Sequence, residues 1–330
     1  MKCVSGHKLT TLTCPRKYYW KWIRNLEKKT INLNFWYGSV LGAGFEAMLK
    51  GQDWRKAMKV EDQKRILRKN LTHEDRTEMV AQRQLIEVIL ANTEKLDAVQ
   101  AMKLDASQEQ FTIELDNGVH YCGTPDGIGT YEDKPCLYEF KTAGRINAAY
   151  LDALKYGKQI NGYSWALSQQ DRPIYNILVG IFIKTAKRVK KNQTIDDFVE
   201  EIKNDSKYLP EKFYYFDNFL TGKRTVQEVA IDIQKTTAML YDLYASKSKE
   251  ELLDPYNWPR METKCFEYSG CEFQQLCKNA RNWEAYEMLF QQREMLYPLE
   301  LEELDKKPVQ IKKKVKKVKK VKKVKKLKKK

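Results

Sequence analysis

Apolar and polar positions change rhythm three times along this chain. Residues 36–104 carry helical spacing in Ala, Leu, Glu, Lys, Gln and Met, with Leu71-Thr72-His73-Glu74-Asp75 as a break between helices and no strand expected. The period then shortens. Phe111-Thr112-Ile113-Glu114-Leu115 alternates, and Asn117-Gly118 predicts a hairpin into residues 119–121, because both turn residues tolerate positive φ. Residues 137–140 predict a third strand after the turn-like Glu132-Asp133-Lys134-Pro135, residues 148–169 return to helix, and 174–183 read as one more strand. Residues 225–244 form an amphipathic helix with Thr225 as its cap and Glu228 three positions on. Near the start, Lys17, Tyr18, Tyr19, Trp20, Lys21, Trp22 and Arg24 mix aromatic and basic side chains on a helical segment, with Pro15 near its first turn. Neighbouring positions cannot all face one way, so most of these rings are expected in the core. Helices flanking a short central sheet give an α/β (α+β) domain.

Composition adds a tail. The 330 residues are 42% hydrophobic and 12% aromatic, enough to bury a sizeable core. The net charge of +16 is concentrated: residues 306–330 hold 16 lysines and no acid, and residues 1–305 balance 44 basic against 44 acidic side chains. In that tail Val315, Val318, Val321, Val324 and Leu327 recur every three residues. A helix turning about 100° per residue smears them round its cylinder, so disorder is expected when the tail is free. Its lysines suit non-specific nucleic acid, each neutralised phosphate adding about −0.9 to the slope of log affinity against log salt. Solubilisation and an anionic lipid surface are the other uses open to it. The longest apolar stretch, residues 177–183, is far short of the ~20 needed to span a bilayer. The first residues show no apolar signal core, so a cytoplasmic chain is expected. Seven cysteines, an odd count, argue for thiol or metal chemistry over a disulfide framework.

The candidate chemistry sits in two places. Gly123-Thr124-Pro125-Asp126-Gly127 is followed by Tyr138-Glu139-Phe140-Lys141-Thr142. Glu139 and Lys141 share one face of a strand. If residues 119–125 pair with 136–141 as a hairpin, Asp126 approaches Glu139. Two carboxylates beside a lysine would bind a hard cation such as Mg²⁺, with the Phe140 carbonyl a further candidate ligand. On these residues alone, a solvated strand face with Asp126 capping a turn explains the pattern as well. Gln159 and Tyr163, four apart, share a face of the next helix. In the second place, Cys265, Cys271 and Cys277 fall at equal six-residue steps, and Cys14 would be a fourth thiol; small buried hydrophobes are the plain reading. Cys3, Cys122 and Cys136 read as ordinary thiols.

The order Pro125-Asp126, Glu139-x-Lys141, Gln159-x-x-x-Tyr163 resembles the PD-(D/E)XK nuclease superfamily, and the last pair resembles its RecB-like branch in particular. The segment from Gly38 to Glu46 aligns with that branch's first motif, a glycine, a histidine four on and a glutamate four further. Here Gly42 stands where the histidine ligand belongs. His7, His73 and His120 lie outside the motif, and His120 reads as a plain strand histidine. The ligands left are Asp126, Glu139 and a carbonyl, with Glu46 directly or through water. The cysteines look like the iron–sulfur group of RecB-like nucleases, including CRISPR-adaptation exonucleases, AddB-type domains and phage relatives. In these, one cysteine before the core and three after it hold a [4Fe–4S] cluster; four thiolates also suit Zn²⁺. The resemblance covers about residues 8–280.

It implies a restriction-endonuclease-like core in a single domain over residues 1–305. Within it, residues 1–105 are a helical segment, 106–190 the catalytic core and 191–305 a helical segment with the Cys cluster. It implies a DNA exonuclease or endonuclease using Mg²⁺ or Mn²⁺, acting on ends or single strands and leaving a 5′-phosphate. Asp126 and Glu139 would hold metal, Lys141 would orient the attacking water, and Gln159 and Tyr163 would position the strand. Repair or recombination, with a helicase partner, is the setting it suggests. Two other classes stay open: a catalytically weak or inactive fold that binds DNA for an assembly, and a metalloprotein whose cysteines sense redox state or iron.

Overall fold

Five strands from the middle of the chain meet in one mixed sheet. The computed structural model describes residues 3–294 except 68, 186, 188, 189, 191, 267–269, 280 and 281; the Lys-rich segment 306–330 and its expected disorder lie outside the described residues. Strand β1 (Cys3–Val4) leads into α1 (Gly6–Thr11) and α2 (Pro15–Tyr18), the latter continued by a π-turn over Tyr19–Ile23. After β2 (Leu26–Lys28) come α3 (Leu33–Leu49), α4 (Trp54–Ile66), α5 (His73–Thr93) and α6 (Asp97–Gln100). The break before α5 is a capping box, Thr72 with Asp75. Strands β3 (Met102–Ser107), β4 (Phe111–Glu114), β5 (His120–Gly123), β6 (Gly127–Tyr131) and β7 (Lys134–Ala143) follow. Then come α7 (Ala148–Lys155), α8 (Lys158–Gln169), β8 (Asn176–Ile183), α9 (Ile195–Tyr208), β9 (Tyr214–Leu220) and α10 (Lys223–Ala245). Short helices α11 (Lys249–Leu253), α12 (Gln274–Lys278) and α13 (Glu284–Glu287) precede β10 (Phe290–Gln292).

The sheet order is β3-β6-β7-β8-β9. Only β7 and β8 are parallel, and α7 and α8 form their crossover. Both faces of β8 are covered, which is why its sequence runs apolar without alternation. Ile177, Val179 and Ile181 face one core with α8 and α10; Leu178 and Phe182 face the other with α3, α5 and α9. A smaller sheet, β1-β5-β4, contains the Asn117-Gly118 hairpin, with Gly118 at φ 72°. The two ends of the described chain are tied together. Strand β2 pairs with β10, Arg16 donates to the Trp258 carbonyl at 2.6 Å, and Tyr18 and Tyr19 stack on Trp258. Tyr18, Tyr19 and Trp20 are core residues, as expected from their crowding.

Four expectations are corrected. Strand β5 pairs with β4 and β1, not with β7; the partner of β7 is β6, through a two-residue turn at Glu132 and Asp133, both at positive φ. Residues 102–104 open strand β3, where only helix was expected. Strand β9 has no counterpart among the expected elements. The cap of α10 is Gly222; Thr225 lies inside the first turn.

Candidate active site

Strand β7 brings the charged pair into the core. Its even positions Cys136 and Tyr138 join one hydrophobic cluster and Leu137 the other, so Glu139 and Lys141 point to the Leu137 side, toward α8. Antiparallel pairing of Gly127 with Tyr138 sets Asp126 across from Glu139, one step beyond that pair. Asp126 Oδ2 accepts from the Phe140 amide at 2.8 Å, which fixes the carboxylate between the strands. Lys141 Nζ donates to Glu139 Oε1 and, at 3.3 Å, to Gln159 Oε1; Gln159 Nε2 donates to the Tyr163 hydroxyl at 3.1 Å. The approach of Asp126 to Glu139 therefore exists, built on a different strand pair from the one expected.

Helix α3 closes the other side. Gly38, Gly42 and Glu46 recur every four residues and share a face. A Cβ on Gly38 would lie 3.0 Å from Thr142 Oγ1, and one on Gly42 would meet nothing within 4 Å. Glu46 reaches Asp126 electrostatically, while its Oε1 accepts from Ser107 Oγ at 2.6 Å and Lys50 Nζ at 2.7 Å. Ser107 and Gln108 are further site residues, with no motif to mark them in the sequence. Gln108 sits at φ 51°, a conformation L residues rarely adopt, and donates to Asp126. His120 belongs to the smaller sheet, paired with Cys3 and Glu114. The Phe140 ring packs on Phe45 at 4.7 Å.

Electrostatics single out Glu139. It is 1% exposed, and Oε2 has no hydrogen-bond partner. Burial pushes its carboxyl up to about 7; Lys141 opposes the rise and Asp126 adds to it. Burial also raises Asp126, against Lys141, the Phe140 amide and the Gln108 side chain. For Lys141 burial acts downward, but Glu139 and Asp126 outweigh it and the net direction is up. A buried carboxylate oxygen without a donor, facing a second carboxylate, fits a hard divalent cation.

One consequence is measurable without substrate. Glu139 holds its proton more tightly folded, near 7, than unfolded, near 4.5. The stability this gives is full below pH 4.5 and lost as pH rises through 7, by about 3 kcal/mol. In chelator, the wild-type Tm should therefore fall between pH 5.5 and pH 8 more steeply than that of Glu139→Gln. Parallel profiles for the two proteins would refute the assignment.

The cysteines are partly gathered. Cys14 acts electrostatically on Cys271 and Cys277, and Cys271 on Cys277. Cys265 joins through the backbone, its carbonyl accepting from the Cys271 amide at 3.0 Å. Burial raises the Cys271 thiol and pushes that of Cys277 to about 11. The Trp20 indole N–H, buried without a regular partner, lies beside Cys277. None of the seven cysteines forms a disulfide. Among the described residues, no three His, Cys, Asp or Glu side chains stand close enough to enclose a metal ion. No described helix is long and apolar enough to cross a membrane.

The sequence profile of the PD-(D/E)XK nuclease superfamily matches residues 7–278, a span containing every residue of this group. The chain belongs to the PD-(D/E)XK nuclease superfamily. Phosphodiester hydrolysis of DNA with Mg²⁺ or Mn²⁺ is the usual chemistry of that superfamily. A solved structure from Eubacterium rectale, described provisionally as an exonuclease, is 11% identical, with a TM-score of 0.47 over 75% of this chain and 83% of that one. A second, named SSO0001, is 13% identical, with a TM-score of 0.29 over 82% of this chain and 94% of that one. No curated protein matches the chain.

Proposed function

We propose that this member of the PD-(D/E)XK superfamily is a metal-dependent DNA exonuclease of the RecB-like branch, acting on ends or single strands inside the cell. The observation that carries the reading is Asp126 facing Glu139 across adjacent strands, with Lys141 on Glu139 and Gln159 on Lys141. Asp126 and Glu139 hold one or two Mg²⁺ or Mn²⁺ ions, joined by the Phe140 carbonyl and by Glu46. Bound there, the ion supplies a water of lowered pKa and neutralises charge on the scissile phosphate. Lys141, positioned by Glu139 and Gln159, orients the attacking water and stabilises developing hydroxide. Tyr163 sets Gln159, and the pair positions the strand. The ion pair with the buried Glu139 carboxylate holds this half-buried lysine in place, so little reorganisation is needed at the moment of reaction.

The four cysteines hold a structural [4Fe–4S] cluster, with Zn²⁺ as the alternative. Support comes from three mutually sensed thiols, from the contacts that already tie the two chain ends together, and from a buried indole N–H with only a thiol beside it. The Lys-rich tail adds non-specific affinity for nucleic acid, and a helicase or recombination partner would supply the strand.

Gly42 favours a second reading, a weak or inactive nuclease fold that binds DNA for an assembly, since open space stands where the branch has a histidine. Labelled single- and double-stranded DNA with Mg²⁺ or Mn²⁺ separates the two. Wild type should cleave and Lys141→Ala should not; equal cleavage by both points to a contaminant and removes the enzyme claim. Protein purified without oxygen should carry about four irons per chain. A chain lacking both iron and zinc would end the cluster assignment.

A further inference from the structure

The stripe on α3 extends past the active site. Phe35, Gly38, Gly42 and Glu46 follow one another at three- and four-residue steps, so one helix face runs from Asp126 outward. Gly38 lies against Thr142, and Phe35, at the outer end, is 71% exposed. That end opens into a groove of about 1720 Å³, whose walls include Asn34, Phe35, Ser39, Gly144 and Lys184. The groove thus begins where β7 leaves the sheet, three residues beyond Lys141.

Lys184 is anchored beside it. Its amide donates to the Ala143 carbonyl at 2.7 Å, its Nζ donates to Asn34 Oδ1 at 2.9 Å, and it lies 4.1 Å from the Tyr37 ring centroid. Burial draws the ammonium down to about 8; Glu78 on α5 opposes this from beyond ion-pair distance. Lys184 makes no ion pair among the described residues. A partly desolvated cation with only neutral partners favours an anion arriving from outside. A lone exposed phenylalanine is ordinary. Here the ring shares a groove with that cation and a helix face with the active site.

Building on the nuclease reading, we propose that this groove binds single-stranded DNA next to the cut, with Phe35 stacking on a base and Lys184 pairing with a phosphate. Between Phe35 and Glu46 on this face, Gly42 leaves open space, with nothing within 4 Å of a Cβ there, over which the strand can run close. The eleven helical steps from Phe35 to Glu46 span about 16 Å, roughly four or five nucleotides at the duplex rise. A base inside a duplex cannot show its face to Phe35 without unstacking, so this subsite selects single strands over intact duplex.

The test is fluorescence anisotropy with labelled oligothymidylate and a duplex of equal length, using the full chain with Lys141→Ala to prevent cleavage. The tail contributes equally to every variant. Phe35→Ala should weaken single-strand binding about tenfold with little change for duplex, and Phe35→Trp should retain it. Lys184→Gln should reduce the salt slope on the single strand by about 0.7. The inference is overturned if Phe35→Ala binds oligothymidylate like its parent, or loses both substrates equally. Cleavage by the chain with Lys141 intact is scored separately. Binding through Phe35 without any hydrolysis keeps the groove and sinks the nuclease reading; hydrolysis with Phe35 irrelevant to binding does the reverse.

Discussion

Glu139→Gln is expected to abolish DNA cleavage while leaving the protein folded. Glutamine matches the shape of the buried side chain and removes only its charge. The site then loses one of the two carboxylates assigned to the divalent ion and the charge that strengthens the bond fixing Lys141. Each of those losses is of the kind that lowers kcat by about 10²–10³, so together a loss of at least about 10³-fold is expected. Stability should move the other way at alkaline pH. Wild type must ionise a carboxyl that burial has raised to about 7, and the amide is spared that penalty. Lys141 keeps Asp126 and Gln159 as neighbours. An inactive variant whose Tm at pH 8 matches or exceeds wild type separates chemistry from folding. A variant that keeps its activity removes Glu139 from the mechanism, and one that merely unfolds shows the buried pair to be structural.

Gly129→Ala should be the most damaging single methyl in the sheet. A Cβ there would lie 1.9 Å from the Lys103 carbonyl oxygen and 3.1 Å from Leu104 Cα, both backbone atoms that cannot rotate away. Gly129 pairs with Leu104 just before the β3 bulge between Leu104 and Ala106. Relief requires β3 to slide or lift, which displaces Ser107 from Glu46 and Gln108 from Asp126. A loss of about 3 kcal/mol is expected by chemical denaturation, with lowered activity in the fraction still folded. Gly42→Ala is the matched control. It lies in a helix interior with open space at its Cβ, so it should gain about 0.5–1 kcal/mol. Similar effects at both positions would mean that backbone crowding does not govern β3.

The candidate catalytic group is legible in the sequence because chemistry constrains its order along the chain. Asp126, Glu139, Lys141, Gln159 and Tyr163 follow from motif order alone, and the structure brings them together. Their strand pairing differs from the expected one because β6 is Gly-Ile-Gly-Thr-Tyr, and glycine weakens a strand signal. Gly127 and Gly129 are there because β3 and β7 crowd them, which is a tertiary demand. Strand β3, Met-Lys-Leu-Asp-Ala-Ser, is short and half polar because it forms the sheet edge. Ser107 and Gln108 reach the site only through that pairing, so no local pattern announces them. The cap of α10 differs for a smaller reason: Thr225 with Glu228 fits the sequence rule, yet Arg224 takes Glu228 at 2.9 Å and the helix begins at Lys223.

Titration of the full chain with Mn²⁺, followed by electron paramagnetic resonance, bears most directly on whether Asp126 and Glu139 share a cation. Wild type should take up one or two tightly bound ions, lost in both Asp126→Asn and Glu139→Gln. Equal Mn²⁺ uptake by all three proteins, or none by wild type, would contradict the account.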